Sequence, residues 1–288
     1  MPFAENTIKR YNIALKKLEE AGFEIKEEPA KVVAYLQENY TKYNTRKSFL
    51  SAIYSTYEDS ASIPKIYKDA MKKEFELQKV KEESQELTPE QDANYLSWKD
   101  ITAVQKQLAS KKDKTNTEWL EYLVVSLYTL TSPVRADYGM MKIVKSGKEK
   151  SKFNLFVNIK KPYFMFREYK TAGRYGQVKV LAPKPLVKVI TEWFEYINQI
   201  PEYLLGNTYN PIVLSNFIRR TFKKYTDKSV GINLIRHAYI TEYFPTLKTI
   251  KDKKEVARRM MHSKNTQELY NLPNKDAGSE AEDAKKQD

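Results

Sequence analysis

The sequence predicts a mainly α-helical protein of two domains, with one small antiparallel β-sheet inside the second. Three observations predict it. Apolar residues recur at helical spacing along most of the 288-residue chain. That pattern breaks once, between residues 141 and 181, into short aromatic and β-branched runs. The chain also turns polar over residues 74–91, EFELQKVKEESQELTPEQ, between two periodic stretches. At ~100–200 residues per domain, the length accommodates one domain on each side of that break.

The elements follow in order. Thr7 is an N-cap signal for IKRYNIALKKLEEAGF, in which Ile8, Tyr11, Ile13, Ala14, Leu15 and Leu18 recur at helical spacing and Gly22 closes the run. Pro29 opens a second helix with Val32, Val33, Tyr35 and Leu36 on one side. A third follows Thr45 with Phe49, Leu50, Ile53 and Tyr54, and a fourth follows Pro64 with Ile66, Tyr67, Ala70, Met71 and Phe75. Residues 1–75 therefore read as a small helical bundle and 76–92 as a linker, breaking near Leu87, Thr88 and Pro89. Residues 93–274 read as the second domain. It begins with DANYLSWKDITAVQKQLAS, where Tyr95, Trp98, Ile101 and Val104 are helically spaced. EWLEYLVVSLYTL is the strongest apolar helix and is predicted to be core, ending at Thr131, Ser132 and Pro133. FNLFVNI, PYFMFREY and GQVKVLA then predict a three-stranded antiparallel sheet, with turns at KSGKEK, at Lys160, Lys161 and Pro162, and at residues 171–176. Helices return after Pro183 as PLVKVITEWFEYI, LSNFIRRTFKKYT, NLIRHAYITEYF, KKEVARRMMH and TQELY. Residues 275–288 lack apolar periodicity and read as a disordered tail.

Composition narrows the function. Lys and Arg total 50 against 37 Asp and Glu, a formal charge of +13. Nucleic acid is the natural partner for that excess, although composition alone serves a solvated lysine-rich surface equally well. Only 8 glycines argue against Gly-rich nucleotide folds. The absence of Cys excludes disulfides, Cys-ligated zinc and a thiol nucleophile, and two His leave little room for a metal site. No apolar run approaches the ~18 residues of a membrane span, and the N-terminus lacks a signal-peptide core. The expectation is a soluble, intracellular protein, with no membrane partner, no metal and no cofactor.

Several polar groups then stand in awkward places. Arg135 directly follows the core helix and Pro133; Lys170 sits at a strand end beside a Gly-containing turn. Arg236 and His237 interrupt the otherwise apolar NLIRHAYI, His262 follows Met260 and Met261, and Tyr270 comes shortly after. Taken singly, each has a plain structural explanation: Arg135 as a helix C-terminal cation, Lys170 as a turn lysine, Arg236 as the partner of an acid such as Glu242, and Tyr270 as one of 21 tyrosines.

Taken in order, the set resembles the catalytic domain of the tyrosine recombinases, the phage-integrase family of DNA-strand-exchange enzymes. TLTSPVRADYGMMKI resembles the first arginine box, with Arg135; FREYKTAGRYGQVKVLAP resembles the hairpin bearing the family lysine, Lys170. INLIRHAYITEYF resembles the second box, usually His-x-x-Arg-His, with Asn233, Arg236 and His237. ARRMMHSKNTQELY resembles the third box and nucleophile segment, with His262 and Tyr270. The resemblance covers about residues 90–272, and TIKRYNIALKKLEEAG with TRKSFLSAIYSTYE resemble helices of the family's core-binding domain. Mobile-element and large-DNA-virus members look closer than bacterial chromosome-resolving ones. There are departures: Asn233 stands for the first His of the second box, and the acid that often lies three residues after the first Arg is absent, Asp137 lying two after. Asn can donate a hydrogen bond to phosphate but carries no charge.

The resemblance implies a two-domain C-shaped clamp on double-stranded DNA, with dimer-to-tetramer self-assembly on that DNA. It implies site-specific recombination or integration by transesterification, without metal or ATP. Tyr270 would attack phosphorus to give a 3′-phosphotyrosyl enzyme and a free 5′-hydroxyl. Arg135 and Arg236 would clamp the nonbridging oxygens, and Lys170, on a mobile hairpin tip, would protonate the leaving oxygen. His262 would be a phosphate donor or base, His237 a supporting base and Asn233 a neutral phosphate ligand. Lys142, Lys145, Arg219, Arg220, Lys223 and Lys224 are candidates for DNA phosphates. A type IB topoisomerase, which shares this chemistry, and a non-catalytic DNA-binding relative stand as alternatives.

Overall fold

The computed structural model describes residues 5–272; the tail expected over 275–288 lies outside them. The chain divides into two compact units, residues 1–86 and 87–288.

The first unit is a four-helix bundle: α1 (Glu5–Glu20), α2 (Pro29–Asn39), α3 (Tyr43–Tyr54) and α4 (Lys65–Glu83). Its core takes Leu18, Leu36, Leu50, Ile53 and Tyr67 from the predicted apolar set, whereas Ile8, Ile13, Ile66 and Phe75 of that set are exposed. α1 stops at Gly22 (φ +81), where the Phe23 amide bonds the Leu18 carbonyl and the Gly22 amide that of Glu19, a paired-bond stop that glycine makes without strain. α1 begins before Thr7, which lies inside the helix. α4 runs to Glu83, so residues 76–83, read as linker, are helical; the Gln78–Glu82 hydrogen bond and the Lys79–Glu83 pair support this polar stretch.

The second unit opens with α5 (Pro89–Ala93), α6 (Trp98–Ser110) and α7 (Asn116–Thr129). Side-chain oxygens of Thr88, Ser97 and Thr115 cap their first turns, and Gln91 and Glu118 complete capping boxes. Residues 121–128 of α7 are buried without a break, as the apolar run predicts. Then come β1 (Lys142–Val144), β2 (Leu155–Val157), β3 (Tyr163–Phe166), the single turn α8 (Ala172–Tyr175) and β4 (Val178–Leu181). The remaining helices are α9 (Lys184–Tyr196), α10 (Pro211–Thr226), α11 (Ile232–Tyr243), α12 (Ile250–Arg259) and α13 (Lys264–Glu268).

The sheet corrects the expectation of three antiparallel strands. It has four, in order β1-β2-β3-β4, and β1 runs parallel to β2. Three residues are too few to show alternation, so β1 leaves no sequence signal. β2, β3 and β4 pair antiparallel, with Phe156, Phe164 and Val180 in register. Those three face the main core with Phe166, while Val144, Leu155 and Val157 pack on the other face, as a period of two requires. Among the described residues no helix is long and apolar enough to cross a membrane.

Candidate active site

Each segment of the site is pinned before its functional side chain appears. After α7, Val134 is fully buried, and the Tyr128 hydroxyl donates to the Arg135 carbonyl at 2.8 Å. Arg135 is thereby presented at a fixed point of the chain. Its guanidinium donates to the Met261 carbonyl at 3.3 Å.

Met261 is itself unusual. α12 ends in the same paired-bond stop as α1: the His262 amide bonds Ala257 O and the Met261 amide bonds Arg258 O, both at 3.1 Å. The left-handed residue here is Met261 (φ +55) rather than glycine, a conformation that costs a side-chain-bearing residue about 1 kcal/mol. The Met261 side chain is buried in the core, and its carbonyl receives both Arg135 and the Thr171 hydroxyl, the latter at 3.2 Å. The turn delivers His262 inward, where it is 5 % exposed.

Arg236 is 0 % exposed on α11, and none of its three guanidinium nitrogens has a hydrogen-bond partner among the described residues. Its guanidinium carbon lies 4.8 Å from the centre of the Tyr270 ring. Burial and, more weakly, Arg135 lower its pKa from the usual arginine value, while Tyr270 and Asp137 pull the other way. A buried cation without hydrogen bonds costs several kcal/mol. His262 lies in the same buried group: among the described residues neither ring nitrogen is hydrogen-bonded, and burial with Arg236 and Arg135 nearby holds its pKa down to about 3. It is a neutral imidazole at pH 7, with one N–H and one lone pair.

Tyr270 lies at the centre. Its ring is 4.7 Å from that of His237 and 5.6 Å from that of His262, centre to centre. The His237 Nδ1 lies 2.9 Å from the Tyr270 carbonyl, which can only accept, so Nδ1 carries the proton and Nε2 the lone pair. Burial holds the His237 pKa at about 4. Downstream, the Leu272 amide donates to the Thr241 hydroxyl at 3.0 Å, fixing the chain beyond Tyr270.

Arg135, Arg236, His237, His262 and Tyr270, distant in sequence, thus form one cluster. Asn233 is exposed in the first turn of α11 and lines a cleft with Arg135, Arg219, Gly231 and Ile232. Lys170 is exposed and has no hydrogen-bond or ion-pair partner among the described residues; its neighbour Thr171 ties that segment to Met261. The segment differs from a simple hairpin tip, since it contains α8. Of the phosphate candidates, Lys145, Arg219 and Arg220 are exposed without an acidic partner among the described residues. Lys142 pairs with Glu202 at 2.7 Å, Lys224 pairs with the buried Glu121 at 2.9 Å, and Lys223 bonds the Asp227 carbonyl.

Asp137 was not among the predicted site residues. Its Oδ2 is buried without a hydrogen bond; burial raises its pKa, against the pull of Arg135 and Arg236. It therefore contributes a carboxyl near the two guanidiniums. In the sequence Asp137 stands out only as a departure, two residues after Arg135, and is not assigned to the site. Gln267 is likewise fully buried with neither amide atom hydrogen-bonded, and nothing in TQELY signals it.

Comparison with known proteins places this architecture. No protein-family model matches the chain, and no curated protein matches it. Solved structures do. The site-specific recombinase XerH, bound to a palindromic difH substrate in a post-cleavage complex, superposes with a TM-score of 0.59 at 13% identity, over 91% of this chain and 75% of XerH. The integrase of transposon Tn1549, in complex with circular intermediate DNA, superposes with a TM-score of 0.54 at 14% identity, over 94% and 90%. The fold is that of the tyrosine recombinases.

Proposed function

We propose that this protein is a site-specific DNA recombinase or integrase that cuts and rejoins strands through Tyr270. The observation that carries the reading is Arg236, wholly buried, unpartnered and 4.8 Å from the Tyr270 ring. A phosphodiester beside that ring would supply the missing acceptors. Its anionic oxygens gain charge in the transition state, which is where fixed guanidiniums act most.

The reaction balances within this set of residues. Tyr270 Oη forms a bond to phosphorus while the bond from phosphorus to O5′ breaks. The phenolic proton passes to an imidazole lone pair, on His262 Nδ1 or Nε2 or on His237 Nε2, and the Lys170 ammonium delivers a proton to O5′. The product is a 3′-phosphotyrosyl enzyme with a free 5′-hydroxyl, and attack by a 5′-hydroxyl reverses it. Burial is the larger cause of the lowered His262 pKa, and the two arginines add to it; an anion between Arg135 and Arg236 would offset their share, so substrate would raise the basicity that the reaction uses. One phosphodiester is exchanged for another linkage of similar energy, so the cycle needs neither ATP nor metal. Exchange of both strands of two duplexes requires four phosphotyrosines. With one Tyr270 per chain, that means four chains assembled on DNA.

The test uses nicked duplexes with a randomised core, in which cleavage releases a short 5′ fragment and traps the covalent enzyme. Wild-type protein is expected to give adducts with a recoverable sequence, and Tyr270→Phe none, while its gel-shift affinity for those duplexes is unchanged. Adducts from Tyr270→Phe, or none from wild type, would overturn the proposal. Relaxation of supercoiled DNA by monomers, with no junction product from paired sites, would assign the same chemistry to a topoisomerase.

A further inference from the structure

We infer that Asn154 is a positioning residue for the strand-transfer reaction, fixing Lys170 at a set distance from Arg135. It rests on the DNA-cleavage reading above and deepens it. Asn154 lies just before β2 and is 5 % exposed. Its amide nitrogen donates to the Asp137 carbonyl at 2.8 Å and to the Glu168 carbonyl at 3.0 Å. Its amide oxygen accepts from the backbone N–H of Arg167 at 2.7 Å and of Glu168 at 2.9 Å. Both donors and both lone pairs are used.

The partners are what matter. Asp137 is two residues after Arg135, and Glu168 is two before Lys170. The β3–β4 ladder ends at Phe166, so residues 167 and 168 leave the sheet and find in Asn154 a substitute for a strand partner. On the other side of Lys170, the Thr171 hydroxyl bonds the Met261 carbonyl, which Arg135 also bonds. The bonds and the short chain segments close a ring: Arg135 to Met261, to Thr171, along the chain to Glu168, to Asn154, to Asp137 and back to Arg135. The unpartnered Lys170 is held on both sides within this ring. Misplacing a reacting group by about 1 Å can cost about 10²-fold in rate. Asn154 itself makes no contact with the reacting atoms, so its loss is expected to act through Lys170.

That route has a signature. When the leaving O5′ is replaced by sulfur, the departing thiolate needs no proton, and general-acid catalysis becomes dispensable. The experiment compares wild type, Lys170→Ala, Asn154→Leu and Asn154→Asp on a nicked duplex recovered from the wild-type selection, with either oxygen or sulfur at the bridging 5′ position. Asn154→Asp keeps the size and the two accepted bonds, so it reports even if Asn154→Leu folds poorly. Val157→Ala, buried in the same sheet, controls for loss of stability, and thermal unfolding is recorded for all. The expected result is that each Asn154 variant cleaves the ordinary duplex about 10²-fold more slowly, and that the sulfur duplex restores it to within a few-fold of wild type, as for Lys170→Ala. An Asn154→Asp protein that is as fast as wild type, or equally slow on both duplexes, overturns the inference. Failure of wild type on both duplexes would instead remove the cleavage reading and this inference with it.

Discussion

Two arginines inside this molecule have opposite surroundings. Arg46, on α3 of the first unit, has a side chain 12% exposed and is fully partnered: Nε and Nη2 bond both carboxylate oxygens of the buried Glu74, and Nη1 bonds the carbonyls of Tyr40 and Thr41. That hydrogen bonding raises its pKa. Arg236, in the second unit, is more deeply buried, has no hydrogen bond among the described residues, and has its pKa lowered by burial. The first is what a buried cation looks like when its purpose is to hold a fold together. The second has donors left over, which the proposed reading assigns to a phosphate. Exposure alone does not separate the two, whereas satisfied donors do.

Breaking the comparison begins with Arg46. Arg46→Met leaves Glu74 buried without its partner and is expected to cost about 3–5 kcal/mol in urea unfolding. Arg46→Met with Glu74→Leu should regain most of it, because an ion pair replaced by matched apolar groups is close to neutral. Arg236→Met is expected to do the reverse. It removes an unsatisfied buried charge, so stability stays level or rises, while adduct formation falls by about 10²–10³-fold. If Arg236→Met unfolds as readily as Arg46→Met, the arginine has a structural partner and the contrast fails.

The histidines extend the comparison to pH. Burial holds His262 down to about 3 and His237 to about 4 in the folded protein, against their ordinary value when unfolded. Below about pH 6.5 the unfolded chain therefore takes up protons that the native state refuses, so stability falls on acidification and levels above that pH. Urea midpoints between pH 7.5 and 4.5 are expected to show this loss, at up to about 1.4 kcal/mol per pH unit for each residue. His262→Gln should reduce the slope by about half and leave the share of His237; an unchanged profile would mean the His262 imidazole is not held neutral. The smallest effect concerns DNA affinity. Replacing Arg219 or Arg220 by Gln is expected to reduce the salt dependence of binding by about one unit of slope each. Lys224→Gln, whose cation already faces Glu121, is expected to leave the slope unchanged. Equal slopes for all three would show that ion pairing inside the protein does not sort the surface cations.

The fold was largely legible because its signals are local. Gly22 stops α1 and the apolar run of α7 is buried where it was expected, although the N-cap read at Thr7 falls inside α1. What was not legible was non-local or too short. β1 has three residues and a parallel partner, α8 is one turn inside what reads as a turn, and the charged end of α4 resembles a linker until its side-chain pairs are seen. The site divides the same way. Arg135, Lys170, Asn233, Arg236, His237, His262 and Tyr270 are singled out by their order along the chain, and the structure brings Arg135, Arg236, His237, His262 and Tyr270 together. Asp137, Thr171 and Asn154 act through backbone atoms or buried neighbours, and the Met261 carbonyl has no side-chain signature at all. Such groups become visible only when the segments meet.

The central claim is that Arg236 is unpartnered because its partner is the scissile phosphate. Replacing one nonbridging oxygen of that phosphate by methyl removes its negative charge. On the charged duplex, Arg236→Ala is expected to form adduct about 10²-fold or more slowly than wild type. On the methylphosphonate duplex the account predicts that the two proteins come within a few-fold of one another; an undiminished deficit there would contradict it.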